Sequence, residues 1–129
     1  MKNLDKENIT NVAALLVHAA KIDEQYSEDE QILIRKFIKT YLNDSNDEKI
    51  LKSAEEIERN SNQILNFTNI IKKNTTEFKS EIIEHLWKVI ISDNTVDQYE
   101  SNLMRRICGL IYFPDKLSAE IKLKLLNKK

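Results

Sequence analysis

Residues 81–111 read EIIEHLWKVIISDNTVDQYESNLMRRICGLI, and the spacing of their apolar side chains decides the fold. Ile82, Ile83, Leu86, Trp87, Ile90 and Ile91 recur at helical intervals and form one broad apolar face. Ser92, Asp93, Asn94 and Thr95 then arrive together, and such residues bond their own backbone in competition with the helix. Of these, Asn94 best tolerates a left-handed backbone. Asp97 is placed to cap the next helix, and Glu100, three positions on, can reach back as in a capping box. Leu103, Met104, Ile107, Cys108 and Ile111 supply the second apolar face.

The first third of the chain repeats this grammar. In a register shifted by 70 (93 minus 23), Asp23 falls on Asp93, Ser27 on Asp97 and Glu30 on Glu100. Leu16 meets Leu86, Leu33 meets Leu103, and Arg35 meets Arg105. Tyr26 and Val96 share the apolar slot before each cap, where a hydrophobic staple sits. The pattern suggests an internal duplication, with repeat one over about 5–42 and repeat two over about 76–114.

Composition narrows the class. The chain has 129 residues, 41% of them hydrophobic, with one Gly and one Pro. That length predicts one domain with a packed core, and the scarcity of Gly and Pro argues against a sandwich or barrel. The fold class expected is all-α: a single-domain bundle of about seven helices. A net charge of −1 offers no drive toward nucleic acid or anionic lipid. One cysteine excludes an internal disulfide and a four-thiolate zinc site. The first residues, KNLDKEN, lack a secretory apolar region, and no apolar run is long enough to span a bilayer, so a cytoplasmic protein without integral membrane association is expected.

Taken in order, helices are expected over about Asp5–Ile22, from a Ser27 cap to Leu42, over about Asp47–Asn60 and over about Asn62–Lys73. Thr76 is the expected cap of the fifth helix. Pro114 stops the sixth, and Ser118 is the expected cap of the last. Ala13, Ala14, Ala19 and Ala20 let another helix approach the first closely. Trp87, Phe37, Leu33, Leu86 and Leu103 are the expected centre of the core.

The acidic loops are the sharpest candidate chemistry. Asp23 with Glu30, and Asp93 with Glu100, offer the hard oxygen donors that Ca²⁺ and Mg²⁺ take. The competing account is local: a glutamate at the third helical position closes a capping box and is favoured by the helix dipole. Convergence decides between the two. Two carboxylates about 4 Å apart repel by roughly 4 kcal/mol at an effective dielectric near 20, so converging acids need a cation or raised pKa values. Neither loop has the D-x-D-x-D run or central Gly of an EF-hand.

The other reactive residues carry less. His18 and His85 form no E-x-x-H or H-E-x-x-H pattern, and Glu81 lies one turn before His85 as a helix-surface partner. Cys108 lies on an apolar face and reads as a buried thiol. Arg105, Arg106 and Lys88 read as solvated charges or as partners of Asp93 and Asp97. Gly109, the single glycine, falls inside a helix, so no phosphate loop exists. No nucleophile with an oxyanion donor stands out, which argues against a carboxylate-based hydrolase. A metal-free interaction module is the alternative, binding a protein partner or a second copy through an exposed stretch from Ile111 to Phe113.

The residues from His85 to Pro114, HLWKVIISDNTVDQYESNLMRRICGLIYFP, resemble the tellurite-resistance TerB family in its TerB-like bacterial branch. That family's pattern is a helix ending in A-D-G, an apolar residue, an acid that starts the next helix, then a basic pair and an apolar run. Asp93, Val96, Glu100, Arg105 and Leu110 match it, and Ala13 to Leu42 matches more loosely through Asp23, Tyr26 and Glu30. The resemblance implies an all-α bundle of two helical repeats and no known catalytic activity. It also implies acidic residues that bind a divalent metal, here Asp23, Glu30, Asp93 and Glu100, and a link to tellurite resistance and stress responses. The family's glycine after the first acid is absent: Glu24 and Asn94 stand in its place. Asn94 can mimic glycine's backbone; Glu24 lacks that freedom.

Overall fold

The computed structural model describes residues 6–22, 26–42, 46–92 and 98–127. Seven helices account for nearly all of them: α1 (Lys6–Ala20), α2 (Glu28–Leu42), α3 (Asp47–Arg59), α4 (Leu65–Lys72), α5 (Thr76–Ile91), α6 (Gln98–Ile111) and α7 (Asp115–Asn127). There is no strand among the described residues, and none of their helices is long and apolar enough to cross a membrane.

The bundle is built around α1. Ten of its fifteen residues are buried, from Ile9 to Ala20, which is more than one amphipathic stripe can supply. Helices α2, α3, α4 and α5 all pack against it. The small side chains of Ala13, Ala14, Ala19 and Ala20 are fully enclosed, as close approach on several sides requires. Leu15 and Leu16 are completely buried beside them, each worth roughly 1.5–3 kcal/mol in area removed from water. Thr10, the polar exception, returns its hydroxyl to the Lys6 carbonyl at 2.6 Å.

Helices α2 and α5 meet along an aromatic seam. Phe37 lies 4.9 Å from Tyr41 and 5.1 Å from the His85 ring, centroid to centroid, and Tyr41 meets Phe78 edge-on at 5.7 Å. The Tyr41 hydroxyl donates to Glu81 across the same seam. Glu81 thus serves α2 and is not simply a surface partner of His85. Phe37 and Leu86 are fully buried, with Trp87 and Leu103 nearly so. Leu33 is only partly buried, beside Leu16, Lys36, His85 and Lys88 in a shallow recess.

Helix α7 lies against α5 and α6. Its start differs from the expectation. The Pro114 carbonyl accepts from the amides of Leu117 and Ser118, so the helix begins at Asp115. Ser118 is therefore no cap: it is buried inside the first turn and accepts a hydrogen bond from Trp87 Nε1 at 3.0 Å. The cap of α5 is likewise one residue earlier than expected. Thr75, with extended backbone, accepts from the Phe78 amide at 3.1 Å. Helix α4 starts at Leu65 rather than near Asn62.

The α6–α7 corner has an unusual residue at its hinge. The Phe113 amide donates to the Cys108 carbonyl at 2.9 Å and the Tyr112 amide to the Gly109 carbonyl at 3.4 Å, the bond pair of a Schellman helix end. The left-handed position that this motif usually gives to glycine is held by Tyr112, at φ 60°. Tyr112 is 71% exposed, whereas Ile111 and Phe113 are buried. The expected exposed stretch thus reduces to one side chain, with Lys72 Nζ 4.9 Å from the ring centroid.

Candidate functional site

Tyr26 and Ser27 lead into α2. The Ser27 amide donates to Glu30 Oε1 at 2.7 Å, and the Glu30 amide donates to Ser27 Oγ at 3.2 Å. This is the reciprocal capping box that the S-x-x-E spacing predicts. Glu30 is only 3% exposed. In the first turn of α6, Glu100 is equally withdrawn, at 2%. These are the two glutamates buried among the described residues, and they stand 70 positions apart (100 minus 30). A buried carboxylate is expensive unless it is hydrogen-bonded or paired with positive charge, so both positions are specified by more than helix propensity.

Asp23 and Asp93, the other two expected ligands, lie outside the described residues, as do Glu24, Asn94, Val96 and Asp97. Carboxylate oxygens are hard donors of the type Ca²⁺ and Mg²⁺ take, and Glu30 and Glu100 fit that chemistry by type. Among the described residues, no three His, Cys, Asp or Glu side chains come together as a metal-holding group.

Further acids gather on α3 near the start of α2. The Tyr26 hydroxyl donates to Glu55 Oε2 at 2.6 Å. Burial, the bond to Glu55 and the negative charges of Glu55, Glu30 and Glu58 all push the Tyr26 phenol above its ordinary range. One turn along α3, Glu58 takes Lys21 Nζ at 2.8 Å on Oε1 and lies 3.2 Å from His18 Nδ1 through Oε2. Burial raises the Glu58 carboxyl, but the hydrogen bonds and charges of Lys21 and His18 outweigh it and hold the carboxyl below its usual value. His18 is thereby placed as a clamp on α3. Arg106 and Asn62 complete the small cleft around that pair.

Cys108 is buried and His85 half-buried. Burial, with the nearby Lys88 charge, lowers the His85 imidazole below its ordinary pKa, against the raising effect of Glu84 and Glu81. Burial raises the Cys108 thiol against the lowering effect of the nearby Ser118 hydroxyl, which leaves it a poor nucleophile. Lys88 pairs with Glu84 at 3.3 Å on the same helix, and so takes its partner locally.

Sequence reasoning found Ser27 and Glu30 because a capping box is written in four consecutive residues. It missed Tyr26–Glu55, Tyr41–Glu81, His18–Glu58 and Trp87–Ser118. Those partners lie 29 to 40 residues apart, and no local pattern marks them.

Comparison with known proteins adds one finding. A family model described as Tellurite resistance protein TerB matches residues 10–123, from inside α1 to near the end of α7. No curated protein and no solved structure matches the chain. The family match spans the core helix, both buried glutamates and the α6–α7 corner, and on that extent the chain belongs to the tellurite resistance protein TerB family.

Proposed function

We propose that this chain is a non-enzymatic, cytoplasmic TerB family protein that binds a divalent cation, Ca²⁺ or Mg²⁺, through Asp23, Glu30, Asp93 and Glu100. The observation that carries the reading is the pair of withdrawn carboxylates, Glu30 and Glu100, at corresponding first-turn positions of α2 and α6. Each follows a loop whose aspartate stands seven residues before it. Two similar helix-loop-helix repeats, each donating an aspartate and a glutamate, give four hard oxygen donors. Family membership supports a link to tellurite resistance and stress response. Calorimetric titration with Ca²⁺, Mg²⁺ and Zn²⁺ tests the reading. Heat of binding and a rise in melting temperature are expected for the wild-type chain, and both should fall away in Asp93→Ala. No heat, no shift and no difference in that variant would remove the cation from the account.

A second reading is a metal-free helical module that binds another polypeptide. The Ser27–Glu30 box favours it, because reciprocal capping satisfies one Glu30 oxygen without any ion. Unchanged partner affinity after exhaustive chelation is its distinguishing result.

A further inference from the structure

A groove of about 500 Å³ runs between the first half of α5 and α7. Phe113, Leu117 and Ile121 give it an apolar lining, and Glu77, Glu81 and Glu120 stand around it with one cation, Lys124. Helix α5 sends Phe78 and Ile82 into the core, so the side chains it offers the groove are polar: Thr76, Glu77, Ser80 and Glu81. The α6–α7 corner and α7 offer the apolar ones, and Leu117 is 39% exposed among the described residues. The groove is pre-shaped, because Trp87 bonds Ser118 below it and Lys122 Nζ lies 5.1 Å from the Trp87 ring centroid. Glu81 is held by the Tyr41 hydroxyl, while Glu77 and Glu120 are exposed on opposite helices.

The charge says what suits it. Among the described residues that line the groove, three carboxylates stand against one ammonium, so the lining is net acidic. Phosphate-bearing ligands are repelled. A second copy is disfavoured as well: a twofold contact sets the same patch against itself, so Glu77 and Glu120 would face their own kind with Lys124 alone to answer them. An apolar floor between two acidic rims matches a helix with apolar anchors on one face and cations on both flanks. We propose that the α5–α7 groove docks a basic amphipathic helix of another polypeptide. Its apolar side chains seat on Phe113, Leu117 and Ile121, and its lysines or arginines pair with Glu77 and Glu120. This narrows the interaction reading above to one face and one partner chemistry. Neither Glu30 nor Glu100 is among the residues that line the groove, so peptide and cation titrations are read separately.

The test uses a fluorescein-labelled synthetic peptide of leucine and lysine arranged as an amphipathic helix, followed by anisotropy against the full chain. Binding on the order of 10 µM is expected, with affinity falling as salt rises. Glu77→Lys with Glu120→Lys should weaken it by at least about tenfold, and Leu117→Asp by a similar factor. The same charge change placed on the exposed faces of α2 and α3, Glu28→Lys with Glu56→Lys, should change affinity less than about twofold, since screening isolates distant surface charges. A version of the peptide with glutamate in place of lysine should not bind. Circular dichroism and melting of each variant check that the bundle is intact. Absence of binding overturns the proposal, as does equal loss in the control pair, which would mean charge attraction without a site. Concentration-dependent dimers that vanish in Leu117→Asp would give the groove to a second copy and overturn it too.

Discussion

The indole N–H of Trp87 on α5 donates to the hydroxyl oxygen of Ser118 on α7 at 3.0 Å, with both residues out of solvent. Ser118 thus ties α7 to α5 through one small hydroxyl. Ser118→Ala leaves the indole donor buried without its acceptor, and the expected cost is about 1–3 kcal/mol. Urea unfolding followed by the fluorescence of the single tryptophan reads this directly. An unchanged midpoint would mean that α7 is held by apolar contact alone.

Tyr112 holds a left-handed backbone that costs a residue with a Cβ about 1–2 kcal/mol. Tyr112→Gly relieves it, less about 0.5–1 kcal/mol for the lost contact with Lys72. A small net gain in stability is expected from Tyr112→Gly and a net loss from Tyr112→Ala, which keeps the strain and removes the ring. Melting temperatures of the two variants should move in opposite directions.

Ser27 and Glu30 separate capping from ligation. Ser27→Ala removes one half of the box and should cost about 1 kcal/mol. Glu30→Gln keeps an acceptor for the Ser27 amide but loses the carboxylate charge. If Glu30 is a ligand, this variant stays folded in the absence of metal and binds Ca²⁺ more weakly. If calcium affinity is the same as wild type, Glu30 is a cap and nothing more.

His85 predicts a pH dependence. Its folded pKa is lowered, mainly by burial, so the unfolded chain takes up the proton first as pH falls. Stability is unaffected above the ordinary histidine pKa and is lost as pH drops through it toward the lowered folded value. Glu58 acts in the same direction at lower pH. Its carboxyl is held down by Lys21 and His18, so its contribution is present above the ordinary glutamate pKa and disappears below. Denaturant midpoints between about pH 7.5 and 5 should fall more steeply for wild type than for His85→Leu. Glu58→Gln should flatten the further fall below about pH 4.5. Parallel curves in either comparison would show that the paired group does not titrate with folding.

The helices were readable because burial on one side of a helix leaves a periodic trace, as in α3, where Ile50, Leu51 and Ala54 turn inward. Phe37 and Leu86 were recognisable as core for the same reason. Ser118 was misread as a cap because a serine near a helix start carries the same local signal whether it faces an amide or a tryptophan. The Pro114 carbonyl had already taken the cap position. Leu33 looked central by spacing, yet α2 leaves it only partly buried beside Lys36 and Lys88. At the candidate site, Glu30 was legible through its box with Ser27. The crowding of Glu55 and Glu58 around Tyr26 was not, because it is set by how α3 crosses the start of α2.

Helix α1 has neighbours on almost every side, and this bears on where the protein tolerates change. Its backbone amides should exchange with deuterium only when the entire molecule opens, since no smaller excursion uncovers a post walled in by four others. Random mutagenesis should accordingly recover few substitutions at the buried positions between Ile9 and Ala20, while labels, tags and engineered contacts belong on the outward side of α3.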